Sequence, residues 1–106
     1  MTGGTKYSNC KVYTWVDWWS MSFYADFTIL TNGMDRIDAI RNPTYSVNAL
    51  YRATSTYSFT IGKKYETAGN PAWARYTQQF TSSGGTATKW VGIWVGGNSW
   101  GQNDAG

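Results

Sequence analysis

The sequence contains no histidine, one cysteine and two prolines among its 106 residues. Without histidine, the commonest general base and the commonest zinc ligand are both missing, which excludes a Ser-His-Asp triad and a histidine-based zinc site. The single cysteine, Cys10, excludes an intramolecular disulfide and is expected to be a small, partly buried hydrophobic side chain. We expect neither a metal nor another cofactor.

Charged residues are also few, since they make up only 14% of the chain and about 25% of an average soluble protein. The net charge is +3, but the basic residues are scattered and Lys63-Lys64 is the one adjacent pair. Nucleic-acid binders usually concentrate their cations, so no nucleic acid is expected as a partner. The sequence contains no run of about 20 apolar residues, which is the length that a membrane-spanning helix requires.

Aromatic residues and glycine are abundant instead. The chain holds seven tryptophans, eight tyrosines and twelve glycines, and so many aromatic side chains can bury enough area to exclude disorder. The length suits one β domain, 1–106, with loose residues 1–5 and a loose tail 101–106. Low charge with many aromatic, Ser, Thr and Gly residues favours a secreted bacterial protein, and Met1 is interpreted as an initiator that replaces a removed leader.

Hydrophobic side chains repeat with a period of two along most of the chain, which predicts β-strands. Between residues 11 and 31 the odd positions are apolar apart from Asp17, so they are expected to share one face. Twenty residues exceed the length of one ordinary strand, and a bend or bulge at residues 18–20 is expected to divide the run in two.

Turn signals and further alternating segments follow. Asn32-Gly33 predicts a hairpin and a returning strand over residues 34–41, which Asn42-Pro43 ends. Two more segments, 45–53 and 57–61, alternate in polarity and have ordinary strand composition.

Residues 72–80 fit either a helix capped by Asn70 or a strand, and the strand is favoured because the surrounding segments are β. In a strand the inward side chains would be Ala72, Ala74, Tyr76 and Phe80. The polar segment 82–85 predicts a turn, and residues 86–95 predict the last strong strand. Six to seven short strands predict an all-β fold, a single antiparallel β-sandwich or a small barrel.

Residues 15–19 place three indoles and one carboxylate within five positions. This combination suits carbohydrate, because indole faces stack on sugar rings and a carboxylate accepts hydrogen bonds from hydroxyl groups. The alternative is that Trp15 and Trp19 lie in the core while Asp17 bonds a backbone amide. Parity favours a ligand surface, since Trp18 points away from Trp15 and Trp19, and an exposed indole usually marks a contact.

Trp90 and Trp94 form a second aromatic pair, on one face of the last strong strand, and Gly92 leaves a gap between them. These two indoles are expected to be half exposed, while the opposite face enters the core with Val91, Ile93 and Val95. The reverse assignment stays open, because a core could also hold both indoles.

The carboxylates form no recognisable catalytic pair. Asp17 and Asp26 have opposite parity on a straight strand, and Asp35 and Asp38 are expected to form surface ion pairs with neighbouring arginines. A glycosidase would need two carboxylates facing each other across a cleft, so we expect that the protein is not an enzyme. A calcium site at Asp35 and Asp38 would have an unfamiliar loop spacing.

The leading functional prediction is a secreted, non-enzymatic binding module for a carbohydrate or a cell-envelope glycan. Its contact residues would be Trp15, Asp17, Trp18, Trp90 and Trp94, and Trp18→Ala is expected to weaken binding with little loss of stability. The alternative is a protein-interaction role, as a bacteriocin-like toxin, an inhibitor or a surface-assembly subunit, in which the same aromatics contact a protein. The sequence leaves the oligomeric state open.

Overall fold

Seven β-strands and no helix make up the computed structural model, which describes residues 4–16, 18–30 and 33–104. All of the strand pairs are antiparallel. The strands are β1 (Gly4–Trp15), β2 (Trp19–Leu30), β3 (Arg36–Val47), β4 (Arg52–Lys63), β5 (Ala72–Ser82), β6 (Gly85–Gly96) and β7 (Ser99–Asp104). In this part of the chain no helix is long and apolar enough to span a membrane.

The strands form two packed sheets, which confirms the predicted β-sandwich. The first sheet has the order β1-β2-β3 and the second has the order β4-β5-β6-β7, so within each sheet the neighbouring strands are consecutive in sequence. The chain passes from one sheet to the other between β3 and β4, through a turn in which the Tyr51 amide donates to the Asn48 carbonyl at 2.9 Å. The four-stranded sheet therefore has a continuous outer face built from consecutive hairpins.

The core lies between the two sheets and follows the period-two pattern. From β2 it takes the odd positions, from β5 the even positions and from β6 the predicted residues Val91, Ile93 and Val95. Removing a side chain such as Phe23 or Phe27 fully from water stabilises the fold by about 1.5–3 kcal/mol each. Cys10 is half buried against this core, as predicted.

The chain reverses direction between Trp15, which ends β1, and Trp19, which begins β2, close to the predicted bend. The Val16 amide donates to the Trp19 carbonyl at 2.9 Å, and Trp15 pairs across the hairpin with Ser20. Directly paired residues share a face, so Trp15 points outward with Ser20 while Trp19 is buried. The expectation that the odd positions share one face across 11–31 is therefore wrong in β1, where Tyr13 and Trp15 point outward and the even position Val12 is buried.

Pro43 does not end a strand, contrary to the prediction, but lies inside β3. Asn42 has φ 57° and the pairing with β2 shifts register between Ser22 and Tyr24, which marks a bulge. An edge strand tolerates a proline there, because one row of its amides needs no partner strand. The strand predicted over 45–53 is divided by the turn between the two sheets.

The second half of the chain follows the predicted pattern until its last residues. Residues 72–80 form a strand, and their inward side chains are the predicted ones together with Gln78. Gly97 and Asn98 both have positive φ, 59° and 60°, which is the geometry of a two-residue hairpin turn. That turn returns residues 99–104 onto β6, so residues 101–104 form part of β7 rather than a loose tail.

Candidate functional site

The structure places the four described members of the predicted contact set on separate surfaces. Trp15 and Trp18 flank the turn between β1 and β2, whereas Trp90 and Trp94 lie on the outer face of the four-stranded sheet. Asp17 lies outside the described residues. The predicted set is therefore not one site, and the Trp90–Trp94 pair has to be considered with its own neighbours.

Trp18 is a packing residue of the sandwich end rather than a free indole. Its ring stacks on Tyr51 with centroids 4.2 Å apart and an interplanar angle of 23°, and it meets Phe80 edge-on at 6.1 Å. The Lys89 ammonium lies 5.6 Å from its centroid. Trp15 differs sharply, since it is 71% exposed and is the more accessible of the two.

The outer face of the four-stranded sheet gathers three indoles, one guanidinium and one amide. Trp73 and Trp94 are directly paired across β5 and β6, and Gly92 pairs with Arg75 on one side and Asn103 on the other. Paired positions share a face, so these side chains project from the same surface. We call Trp73, Arg75, Trp90, Trp94 and Asn103 the aromatic face.

Glycines on the neighbouring strands make room for two of these indoles. A Cβ at Gly62 would lie 2.1 Å from the Cη2 atom of Trp73, and a Cβ at Gly101 would lie 2.7 Å from the ring of Trp94. Both distances are shorter than real contacts allow, so each indole lies flat against a glycine backbone. This arrangement spreads the rings along the sheet.

Arg75 lies between two of the indoles. Its guanidinium carbon is 4.0 Å from the Trp90 centroid and 5.1 Å from the Trp73 centroid, which are cation–π distances. Opposite Arg75, a Cβ at Gly92 would come within 2.9 Å of the Asn103 Oδ1 atom and 3.0 Å of the Ala74 carbonyl. The gap predicted at Gly92 thus allows the polar side chains to approach the centre of the face.

A groove of about 290 Å³ runs between Trp73 and Trp94. Ala74 and Ile93 turn their side chains to the core, so their backbone forms the floor, while Arg75 and Asn103 line the groove with nitrogen and oxygen atoms. Aromatic walls with a few convergent polar groups are typical of small-ligand and glycan sites. Trp73 is 38% exposed, and Trp90 and Trp94 are half-buried, so the rings remain partly open to solvent.

None of the described carboxylates lines the groove between Trp73 and Trp94, although Glu66 lies beside Trp94 at one end of the face, and several carboxylates are bound by backbone amides. Asp35, expected at the surface, is fully buried because its two oxygens accept the Leu30 and Asn98 amides at 2.9 Å each. Glu66 accepts the Asp35 and Gly97 amides, and these bonds lower the pKa of its carboxyl group. Two neighbouring acids are thus occupied in joining loops at one end of the sandwich.

Two ion pairs lie on the three-stranded sheet. Asp38 pairs with Arg36 at 2.7 Å, as predicted, whereas Arg41 pairs with Asp26 rather than with the neighbouring aspartates. The hydrogen bond from Arg41, with a further one from the Asn9 amide, lowers the pKa of Asp26 to about 2. The bulge at Asn9, where φ is 53°, aims that amide at the carboxylate.

Sequence reasoning missed Trp73, Arg75 and Asn103. Trp73 and Arg75 fall in the segment that could be read as helix or strand, so their face was undetermined, and Asn103 falls in the predicted loose tail. The available signal was the recurrence of glycine two residues from an indole or across a turn from one, as at Gly92 and Gly101. Only the strand register shows which indole each glycine faces.

No model of a known protein family matches this sequence, and no curated protein is significantly similar to it. The structure is similar to that of a hypothetical protein from Listeria monocytogenes EGD-e, with a TM-score of 0.68 and 16% sequence identity. The match covers 98% of this chain and 68% of the other. At that identity the similarity shows that the two chains share a fold, and it carries no functional assignment.

Proposed function

We propose that this protein is a secreted, non-enzymatic bacterial module that binds a carbohydrate chain on its aromatic face. The observation that carries the proposal is the placement of three indoles on one side of a sheet, with a groove between Trp73 and Trp94. Three partly exposed indoles on one outer face are costly in water unless they meet a ligand or partner.

The chemistry of the face suits a sugar. A pyranose ring presents apolar C–H groups that pack on an indole face, and its hydroxyl groups need directional partners. Asn103 offers both a donor and an acceptor, and Arg75 offers guanidinium N–H donors, at the edge of the same groove. The indoles would therefore supply the contact area, and the two polar side chains would orient the sugar.

The proposed contact set differs from the one predicted from the sequence. Trp90 and Trp94 are retained, and Trp73, Arg75 and Asn103 join them because the register brings them to the same face. Trp18 is withdrawn because it packs on Tyr51 and Phe80. Trp15 lies on the other sheet, which makes it a matched control for an exposed indole outside the site.

The test is titration of intrinsic tryptophan fluorescence with soluble glycans, in the presence of an aqueous quencher. We expect one glycan class to shift the emission and to protect indoles from quenching, and Trp94→Ala to weaken binding about tenfold or more, as for a central aromatic contact. Trp15→Ala should bind as the unaltered protein does. Equal losses for the two variants, or no response to any glycan, would refute the proposal.

A second candidate function is protein interaction through the three-stranded sheet. Trp15 is 71% exposed and Tyr13, two residues away on the same outward face of β1, is 50% exposed. Adjacent exposed aromatics on an edge strand are typical of protein contacts. Sedimentation at several concentrations tests self-association through this patch, which Trp15→Ser should abolish if it occurs; a monomer at all concentrations counts against it.

A further inference from the structure

We infer that the carbohydrate bound by the aromatic face is acidic, and that Arg75 binds a carboxylate carried by a sugar ring. This inference rests on the proposed function and names the class of its ligand. It is carried by the position of Arg75, by the charge of the outward side chains around it and by contrast with another arginine of the same fold.

Arg75 is a cation without an anionic partner among the residues that the structure describes. The described ion pairs join Arg36 to Asp38 and Arg41 to Asp26, and neither involves Arg75. Its Nε atom is buried without a hydrogen-bond acceptor in the described chain. The guanidinium therefore lies at cation–π distance from both Trp73 and Trp90, while the hydrogen-bonding capacity of its Nε atom is not filled by the described part of the chain.

Cation–π contacts leave the guanidinium suited to an incoming anion. Its central carbon lies 4.0 and 5.1 Å from two ring centroids, and a cation–π contact does not use the N–H groups as hydrogen-bond donors to a lone pair. Such a planar fork matches the two oxygens of a carboxylate, and charge-assisted bonds of this type are about twice as strong as neutral ones. A side chain fixed in advance also loses little conformational entropy when it binds.

The surroundings of Arg75 are electrostatically one-sided. On the outward positions of the described β4–β7 strands, the charged residues are Arg52, Lys63 and Arg75, and none of these positions carries a carboxylate. Lys63 pairs directly with Trp73, beside the groove. Glu66 lies at the far end of the face, beside Trp94 and Gly96, where it accepts the Asp35 and Gly97 amides. An anionic ligand at Arg75 would therefore meet cations on the neighbouring strand positions.

Arg41 shows what a compensated arginine looks like in this protein. It lies on the outer face of the other sheet, where Asp26 accepts from both of its terminal nitrogens and Asn9 accepts a further bond. The same fold thus pairs one outward arginine with a carboxylate and sets the other between indoles without one. A ligand carboxylate would accept hydrogen bonds from Arg75 as Asp26 does from Arg41.

The experiment compares two ligands that share one sugar backbone, oligogalacturonate and its uncharged methyl ester, by isothermal titration calorimetry. We expect the acid to bind about tenfold more tightly than the ester, since one charge-assisted pair is at stake. Arg75→Gln should remove that preference, so that the acid and the ester bind with similar affinities. Arg52→Gln, which removes an exposed cation outside the groove, should leave the preference intact.

The outcomes separate the inference from the proposed function. Equal binding of acid and ester would overturn the acidic ligand and leave a neutral carbohydrate site, whereas binding of neither would overturn the inference and leave the proposed function to be decided by the wider set of soluble glycans. If Arg75→Gln is unfolded by circular dichroism, the unaltered protein still decides, because a preference that resists added salt would not be the ion pair inferred here. Arg75→Lys, which keeps the charge without the planar fork, should show a reduced but measurable preference.

Discussion

The two tryptophan-rich regions of this protein look alike in sequence and differ in structure. Around the β1–β2 turn, Trp18 and Trp19 pack against each other and against aromatic neighbours, and Trp15 alone remains exposed. On the outer face of the four-stranded sheet, the indoles of Trp73 and Trp94 lie over glycines of neighbouring strands. One region ends the core, and the other forms a surface.

The difference lies in what stands opposite each indole. Trp18 meets Tyr51 and Phe80, large side chains that enclose it, whereas Trp73 and Trp94 meet Gly62 and Gly101, which have no side chain. An indole that is surrounded by large side chains is buried as part of the core. An indole that faces a glycine packs one side of its ring on the strand backbone and leaves the other side at the surface. Aromatic density in a sequence therefore does not locate a binding surface until the partners across the strands are known.

The largest expected difference between the two regions is the loss of folding stability caused by Trp18→Ala. Because this truncation removes ring contacts with Tyr51 and Phe80, we expect the free energy of unfolding to fall by about 2–3 kcal/mol, somewhat less than for a fully buried indole. Trp15→Ala, at an exposed position in the same turn, should change it by less than about 0.5 kcal/mol. Urea unfolding followed by far-UV circular dichroism measures both.

Equal stability of the two variants would contradict the assignment of Trp18 to the core. It would restore the sequence-based expectation that Trp18→Ala leaves the fold intact, and Trp18 would then again be a candidate ligand contact. A change in the denaturant slope, in place of a shift in the midpoint, would indicate an altered unfolded or native state and would not support either assignment.

Much of the fold could be predicted because it depends on local patterns. The alternation in residues 86–95 places Val91, Ile93 and Val95 in the core, and the turn at 82–85 is encoded by small polar residues and glycine. Prediction failed where conformation overrides a pattern, as at Pro43, which a bulge accommodates, and at Gly97 and Asn98, whose positive φ values build a hairpin. These are single-residue backbone states with weak sequence signals.

The candidate site was less predictable than the fold, because it depends on pairing between strands distant in the chain. Trp73 faces Gly62 from the preceding strand, and Trp94 faces Gly101 across the final hairpin. A shift of one residue in either register would move the indoles to the opposite face. The two predicted contact residues that lie on the aromatic face, Trp90 and Trp94, belong to one uninterrupted strand.

A smaller expected effect, on glycan affinity, tests the role of glycine on the aromatic face. Because a Cβ at Gly101 would lie 2.7 Å from the Trp94 ring, we expect Gly101→Val to lift that indole from the sheet and to weaken glycan binding about three- to tenfold, less than Trp94→Ala. Ring displacement should also appear as altered near-UV circular dichroism. Gly84→Val, at a turn position where a Cβ would meet nothing closer than the Ser82 Oγ atom at 3.8 Å, is the control for adding a branched side chain and should bind normally.

Gly101→Val with full affinity would mean that Trp94 can leave its place on the sheet without consequence for the ligand. In that case glycine would serve only the pairing of β6 with β7, and the spacing of the rings would not matter for recognition. An affinity loss as large as that of Trp94→Ala, with an unchanged unfolding midpoint, would instead show that ring position is as important as the ring itself.

The smallest effect concerns the two arginines and the pH dependence of stability. The pKa of Asp26 in the folded protein is about 2, below its ordinary value of 3.8, because Arg41 and the Asn9 amide donate to it. The unfolded chain therefore binds a proton at a higher pH, so the stabilisation is complete above about pH 4 and is lost as the pH falls toward 2. Both side chains are partly exposed, so solvent screening keeps the effect below that of Trp18→Ala.

Asp26→Asn should accordingly flatten the rise in stability between pH 2 and pH 4, and Arg41→Gln should flatten it too, as measured by urea midpoints across that range. Arg75→Gln should leave this part of the profile unchanged, because no described carboxylate pairs with Arg75. If Arg75→Gln flattened the curve as well, Arg75 would have an acidic partner within the protein. The unpaired state of its guanidinium, on which recognition of an acidic sugar depends, would then be disproved without any ligand.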